Sequence, residues 1–312
     1  MDYEYLFGPV PSRRLGISLG VDLIPYKTCS LNCVYCEIGR TTDLKIKRKE
    51  YIKIDKIIEE LNTYLKSNPE LDFITFSGQG EPTLNSGMEK VIDFLKDNYP
   101  EYRIAVITNS TLIHRENVRK CLKKCNVILP SLDSATKKSF QKINRPHSNL
   151  NINKIIEGLI KFSKDFNGKI WLEIFIIPGI NNSYTELKAL KKHIIKIDPD
   201  IIQLNTLDRP PAESWVKKAS LKNLEDIKDF FKPLKTEIIA KYKRRSQITS
   251  FNKNISKQII NTVQRRPCTI QELKEILNIH KNELNKYLGS LVEDGILEKD
   301  KRERGTFYKL KT

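Results

Sequence analysis

TCSLNCVYCEIG, residues 28–39, places Cys29, Cys33 and Cys36 first three and then two residues apart in a single loop. Thiolates that close in sequence converge on one small volume, and metals or iron–sulfur clusters reward such crowding of soft ligands. Four thiolates would close a structural site, whereas three leave one metal position for an exchangeable ligand. Zinc would recruit a fourth nearby Cys or His, and the next candidate, His114, is far along the chain. A zinc loop and three unrelated core thiols are the competing readings.

Upstream of the loop stands the strand-like GISLGVDLIP (16–25), and downstream short apolar runs alternate with amphipathic helical patterns. Strands are predicted at 16–22, 73–77, 103–108, 127–132, 170–176 and 201–204. Helices are predicted at 56–67, with Asp55 placed to cap, and at 87–98, 115–123, 152–166 and 184–197. Ser220 opens a sixth helix over 221–231. Six βα units in a row imply a parallel sheet, although periodicity does not separate an open barrel from a doubly wound sheet. At about Lys241 the alternation stops. The expected division is 1–240, a connector over 241–254, and a second unit over 255–312. That unit shows a helix at 255–264, a second opened by the capping box Thr269 and Glu272, and a third at 281–293. Strands at 296–298 and 306–310 flank a charged turn, so three helices and a hairpin resemble a winged helix-turn-helix.

A chain of 312 residues with 39% apolar and 30% charged residues has material for one large and one small domain. MDYEYLFGPVP carries neither a basic leader nor a long apolar run, and no stretch approaches the ~20 apolar residues of a membrane span. Six cysteines in that setting point to a reducing cytoplasm rather than a disulfide framework. Lys and Arg outnumber Asp and Glu by 55 to 38, a net +17 that favours polyanionic partners or reflects a solvated basic surface.

The cysteine spacing, with Tyr35 at the aromatic position before the last cysteine, is similar to the cluster motif of the radical S-adenosylmethionine (radical SAM) superfamily. Together with GPVPSRRLGISLGVDL it resembles the wybutosine-synthesis-like and molybdenum-cofactor-synthesis-like members. The resemblance implies a (β/α)6 partial TIM barrel and a [4Fe–4S] cluster on Cys29, Cys33 and Cys36. Its fourth iron would bind SAM, and a flavodoxin- or ferredoxin-like donor would supply one electron. The turn Ser77-Gly-Gln-Gly-Glu-Pro82 is similar to the motif that holds the SAM amino group, which implicates Gly78, Gly80 and Glu81. Asn109, Ser131 and Asp133 follow strands, where such barrels build their sites, and would line the SAM or substrate pocket. Glu173 lies in the apolar WLEIFIIPG, and a ribose hydroxyl pair would partner it. Arg145 would meet the SAM carboxylate, a substrate phosphate or solvent, while Ser12, Arg13 and Arg14 would reach an anionic substrate or clamp the barrel. Cys121 and Cys125 read as core or surface thiols.

The resemblance implies reductive cleavage of SAM, with three open functions. The enzyme would modify RNA, with Lys281, Asn282, Asn285, Lys286, Lys301, Arg302 and Arg304 gripping nucleic acid. It would alternatively modify a peptide or small molecule, with the winged helix as a docking module. From another class, a DNA-binding regulator would use the cluster as its sensor.

Overall fold

The computed structural model describes residues 3–239, 255–279 and 281–311, so the expected connector lies outside the described residues. The first part runs β1 (Leu6–Ser12), β2 (Gly16–Val21), the two-residue strands β3 (Thr28–Cys29) and β4 (Asp43–Leu44), α1 (Ile54–Leu65) and β5 (Phe73–Phe76). It continues α2 (Met88–Asn98), β6 (Ile104–Thr108), α3 (Glu116–Leu122), β7 (Val127–Pro130), α4 (Lys137–Asn144) and α5 (Ile152–Lys164). It closes with β8 (Lys169–Phe175), α6 (Tyr184–Ile197), β9 (Ile201–Asn205), α7 (Leu221–Phe231) and β10 (Thr236–Ile238).

One eight-stranded sheet has the order β1-β2-β5-β6-β7-β8-β9-β10, parallel throughout except for β1. The six predicted strands are neighbours in chain order. That order lacks the reversal of a doubly wound sheet, so right-handed crossovers keep the helices to one face. The strand FITF of β5 is buried at every position, as expected of a strand covered on both sides. Ile57, Leu61 and Leu65 of α1 pack a single stripe into the same core.

Besides the two-residue strands, three elements were not legible in the sequence. β1 holds Pro9 and Pro11, which argue against a strand, yet it pairs antiparallel at an edge, with an irregular register between Phe7 and Val10. β10 is only three residues long. α4 has a mostly polar sequence and buries Phe140 and Ile143 behind its Thr136 cap. Asp55 does not cap α1: the helix starts two residues earlier, at Ile54, and Glu50 accepts from the Ile54 amide at 3.2 Å. Asp55 sits in the first turn, where a carboxylate favours the helix dipole.

The second part comprises α8 (Ile255–Arg265), β11 (Cys268–Thr269), α9 (Ile270–Leu277), α10 (Lys281–Glu293), β12 (Leu297–Arg302) and β13 (Gly305–Leu310). Its three strands pair antiparallel in the order β11-β13-β12, and the Thr269–Glu272 capping box is formed. Most of the expected charged turn is strand instead: Arg302 pairs with Gly305, which leaves Glu303 and Arg304 as the turn. Ile259, Val263, Leu273, Leu284 and Leu288 form a core that Val10 of β1 joins. The two parts therefore share apolar packing through the edge strand.

Candidate active site

Cys29 ends β3, which pairs with β4 (Thr28 with Asp43, Cys29 with Leu44) and fixes the start of the loop. Its far side is tied to α4, with the Val34 amide donating to the Ile143 carbonyl and Asn32 to Asn144, both at 2.9 Å. Cys29, Cys33 and Cys36 are free and half-buried thiols. Asn109 Nδ2 donates to Cys29 Sγ and Asn144 Nδ2 to Cys33 Sγ, each at 3.4 Å. The amides of Leu31 and of Ile38 and Gly39 face Cys29 and Cys36 respectively. Burial, with Glu81 nearby, pushes the Cys29 thiol up to about 12, and burial beside Asp133 holds Cys33 well above its ordinary value. Burial also raises Cys36.

Soft donors in a pocket that disfavours bare thiolates, yet supplies N–H groups to sulfur, suit a cationic centre that replaces the thiol protons. Among the described residues no three His, Cys, Asp or Glu side chains converge on a single-ion site. The cube of an iron–sulfur cluster takes its thiolates at separate corners, so the donor set fits that group.

The glycine-rich turn clamps this loop. The Glu81 amide donates to the Thr28 carbonyl at 3.2 Å and the Lys27 amide to the Gln79 carbonyl at 2.8 Å. A Cβ on Gly80 would lie 1.9 Å from the Thr28 carbonyl oxygen. Gly78, at φ +110°, has no room for one beside Asp22. Glu81 is buried, and its carboxylate accepts from the Thr83 amide and hydroxyl, from Thr108 Oγ1 at 2.7 Å and from the Asn109 amide at 2.7 Å. It thereby fixes the turn after β6 that aims Asn109 at Cys29.

Asp133 works in the same way. It accepts from the Tyr35 hydroxyl at 2.6 Å, from Asn144 Nδ2 at 2.8 Å and from the Phe175 amide at 2.9 Å. Burial pushes its carboxyl up to about 6 despite those donors. Tyr35 stacks on Phe175 with centroids 3.9 Å apart and an interplanar angle of 7°. Asn109, Ser131 and Asp133 line a void of about 20 Å³, room for about one water.

The main cavity, about 340 Å³, is lined by Tyr35, Cys36, Gly78 and Glu173, and by Arg13 and Arg14. Glu173 does face inward, but its partner is Arg14, with Asn205 Nδ2 at 3.3 Å. Arg145 is held at 2.5 Å by Glu213 and is not among the residues lining that cavity. Cys121, on α3, and Cys125, just after it, lie in the core.

Two cavity residues come from the second part, Arg265 and Arg266 at the end of α8. Arg265 pairs with Asp22 at 2.5 Å. Nearby, Arg209 donates to the Pro267 carbonyl at 2.9 Å and to Glu272, and lies 3.8 Å from Glu37, the neighbour of Cys36. Arg304, expected on a free wing, pairs with Asp208 and Glu272 instead, and Arg302 pairs with Asp300 at 2.8 Å. Lys281, Asn285 and Lys301 are exposed; the side chains of Asn282 and Lys286 lie outside the described residues. Asn144, Asp22, Arg265 and Arg266 were missed because each acts far from its place in the sequence.

The radical SAM superfamily's sequence profile matches residues 23–189, which includes all three cysteines. The chain belongs to the radical SAM superfamily. Its cofactors are accordingly SAM and a [4Fe–4S] cluster, and it is an enzyme of that class. A UPF0026 protein of Methanocaldococcus jannaschii is 34% identical over 97% of this chain and 94% of that protein. A Brachyspira hyodysenteriae protein described as GTPase Obg is 35% identical over 93% of this chain, which spans only 43% of that protein's length. The ribosomal RNA large subunit methyltransferase Cfr of Lachnoclostridium phytofermentans is 20% identical over 64% of this chain and 60% of that one. Among solved structures, a radical SAM methyltransferase from Sphaerobacter thermophilus shares the fold with a TM-score of 0.54 and 14% identity, over 73% of this chain and 67% of that one. Among the described residues no helix is long and apolar enough to cross a membrane.

Proposed function

We propose that this radical SAM enzyme modifies RNA held between the parallel sheet and the C-terminal unit. In this reading residues 1–240 are a partial (β/α)6 barrel. Residues 255–312 are a winged helix, supported by their order of helix, strand, two helices and a two-stranded wing. Cys29, Cys33 and Cys36 are the residues to hold three irons, with the fourth left to SAM. A cluster held there would supply the electron, passed on from an external one-electron donor, for reductive cleavage of SAM.

The chain's own residues orient and enclose. Asn109 and Asn144 hold the sulfurs, Asp133 pins the Tyr35 wall, and Arg14 neutralises Glu173 so that a carboxylate can face the chamber. The observation that carries this reading is the cavity itself. It is lined by Cys36 together with Arg265 and Arg266 of the C-terminal unit, so a substrate bound there touches both parts beside the cluster loop. RNA as the substrate is supported by the net charge of +17, by the exposed Lys281 and Lys301, and by the similarity to a ribosomal RNA methyltransferase.

To test it, anaerobically reconstituted full-length protein is given SAM and reductant with and without RNA. RNA should accelerate 5′-deoxyadenosine release, and its nucleoside digest should gain a product. Replacing Lys281 and Lys301 by Gln should lower the salt slope of RNA binding by roughly 0.7 for each phosphate no longer neutralised. SAM cleavage that RNA leaves unchanged, with RNA affinity no better than ~10⁻⁴ M at about 0.15 M salt, would refute RNA in favour of a peptide or small molecule.

A further inference from the structure

The charges around the main cavity are unevenly satisfied. Arg14 has Glu173 and Arg265 has Asp22. Arg13 reaches Asp208 only at 3.6 Å, and the same Asp208 oxygen is also claimed by Arg209 and Arg304. Burial, and the neighbouring Arg209 and Arg14, lower the pKa of Arg13, while Glu37 and Asp208 oppose the shift.

Arg266 stands out further. It lines the cavity, and its Nε and Nη2 are buried with no hydrogen-bond partner among the described residues. A buried guanidinium donor without an acceptor is costly, and the Nε–Nη2 edge that lacks one is the edge that matches an oxyanion. The adjacent Arg265, 8% exposed, also leaves its Nε without a partner. Arg13, Arg14, Arg265 and Arg266 line the cavity with Cys36, against the carboxylates of Asp22, Glu37 and Glu173, and an anion would complete that set.

We propose that Arg266, with Arg13, binds a phosphate group of the substrate and so sets which carbon faces the cluster. This rests on the RNA reading above, in which the group is the phosphate beside the modified nucleoside. It also assigns the C-terminal unit a place in the reaction chamber.

The test titrates inorganic phosphate into the holoenzyme at constant ionic strength, with chloride exchanged for phosphate, and follows the rise in melting temperature. The native protein should gain stability with phosphate, and Arg266→Gln should weaken phosphate at least about tenfold, as the loss of a charge-assisted fork implies. Arg266→Lys, which keeps the charge and packing volume, should show an intermediate loss. Lys192→Gln, on the exposed side of α6, should bind phosphate as the native protein does. Equal stabilisation by acetate would show a carboxylate site and overturn the phosphate assignment. Loss of the phosphate response at saturating SAM would place the SAM carboxylate on Arg266 and overturn it as well. An unchanged response in Arg266→Gln would remove the residue from the site. If the phosphate response depends on Arg266 while RNA fails to accelerate SAM cleavage, the subsite stands and the RNA reading falls.

Discussion

Replacing Arg209 by Met should loosen the C-terminal unit from the sheet. The Arg209 side chain is only 2% exposed, and it spans the two parts through the Pro267 carbonyl and Glu272. Methionine keeps the bulk and removes both bonds. The Pro267 carbonyl loses a donor inside the interface, which costs about 1–3 kcal/mol, and the charge-assisted bond to Glu272 is worth a further 1.5–3 kcal/mol or so. Two terms reduce that sum. Glu272 keeps Arg304 at 2.7 Å, and the guanidinium no longer has to be desolvated. A net loss of roughly 2–4 kcal/mol in docking follows, with the barrel core untouched. The assay is hydrogen exchange of the intact protein. Amides of Leu6–Ser12 and of Ile255–Arg265, the strand and helix at the joint, should exchange roughly 30- to 1000-fold faster. Amides of Phe73–Phe76, at the centre of the sheet, should not change. Unchanged exchange at both joint elements would refute the idea that Arg209 holds the units together.

Iron binding should require Cys29, Cys33 and Cys36: replacing any of them by Ala should lower the iron bound after anaerobic reconstitution, whereas Cys121→Ala, in the core, should retain it. Glu81→Ala strands the amides of Thr83 and Asn109 and two hydroxyls, so it should lower the melting temperature as well as SAM affinity; an unchanged melting curve would contradict the structural role. Acid should weaken docking through Glu272. Burial pushes its carboxyl up, but Arg209, Arg266 and Arg304 outweigh that and leave it below the ordinary 4.5. A depressed carboxylate stabilises the folded state above its unfolded pKa and loses that contribution as the pH falls through the folded value. Melting temperatures measured from pH 6 down to pH 3 should therefore fall less steeply in Glu272→Gln than in the native protein.

Much of this was written locally in the chain. The cysteine spacing, the alternation of strands and helices, the Ser220 cap of α7 and the Thr269–Glu272 box depend on residues a few positions apart, so they can be read without the fold. The limits of α6, α7 and α10 follow for the same reason. What the sequence left open is long-range. Strand order excluded a doubly wound sheet, which periodicity alone leaves open. Glu173 was visible as an acid in an apolar strand, but its partner Arg14 lies 159 residues away. Asn144 carries no local mark and is brought to Cys33 across 111 residues, while Asp133 meets Tyr35 across 98. Arg304 read as part of an open basic wing until the fold set Asp208 beside it. A buried charge takes whichever opposite group the packing brings within reach, and packing is a property of the whole chain. The sequence by itself determined which chemistry the chain carries; only the tertiary structure decided which polar groups hold the cysteines, and that Arg265 and Arg266 of the C-terminal unit line the main cavity.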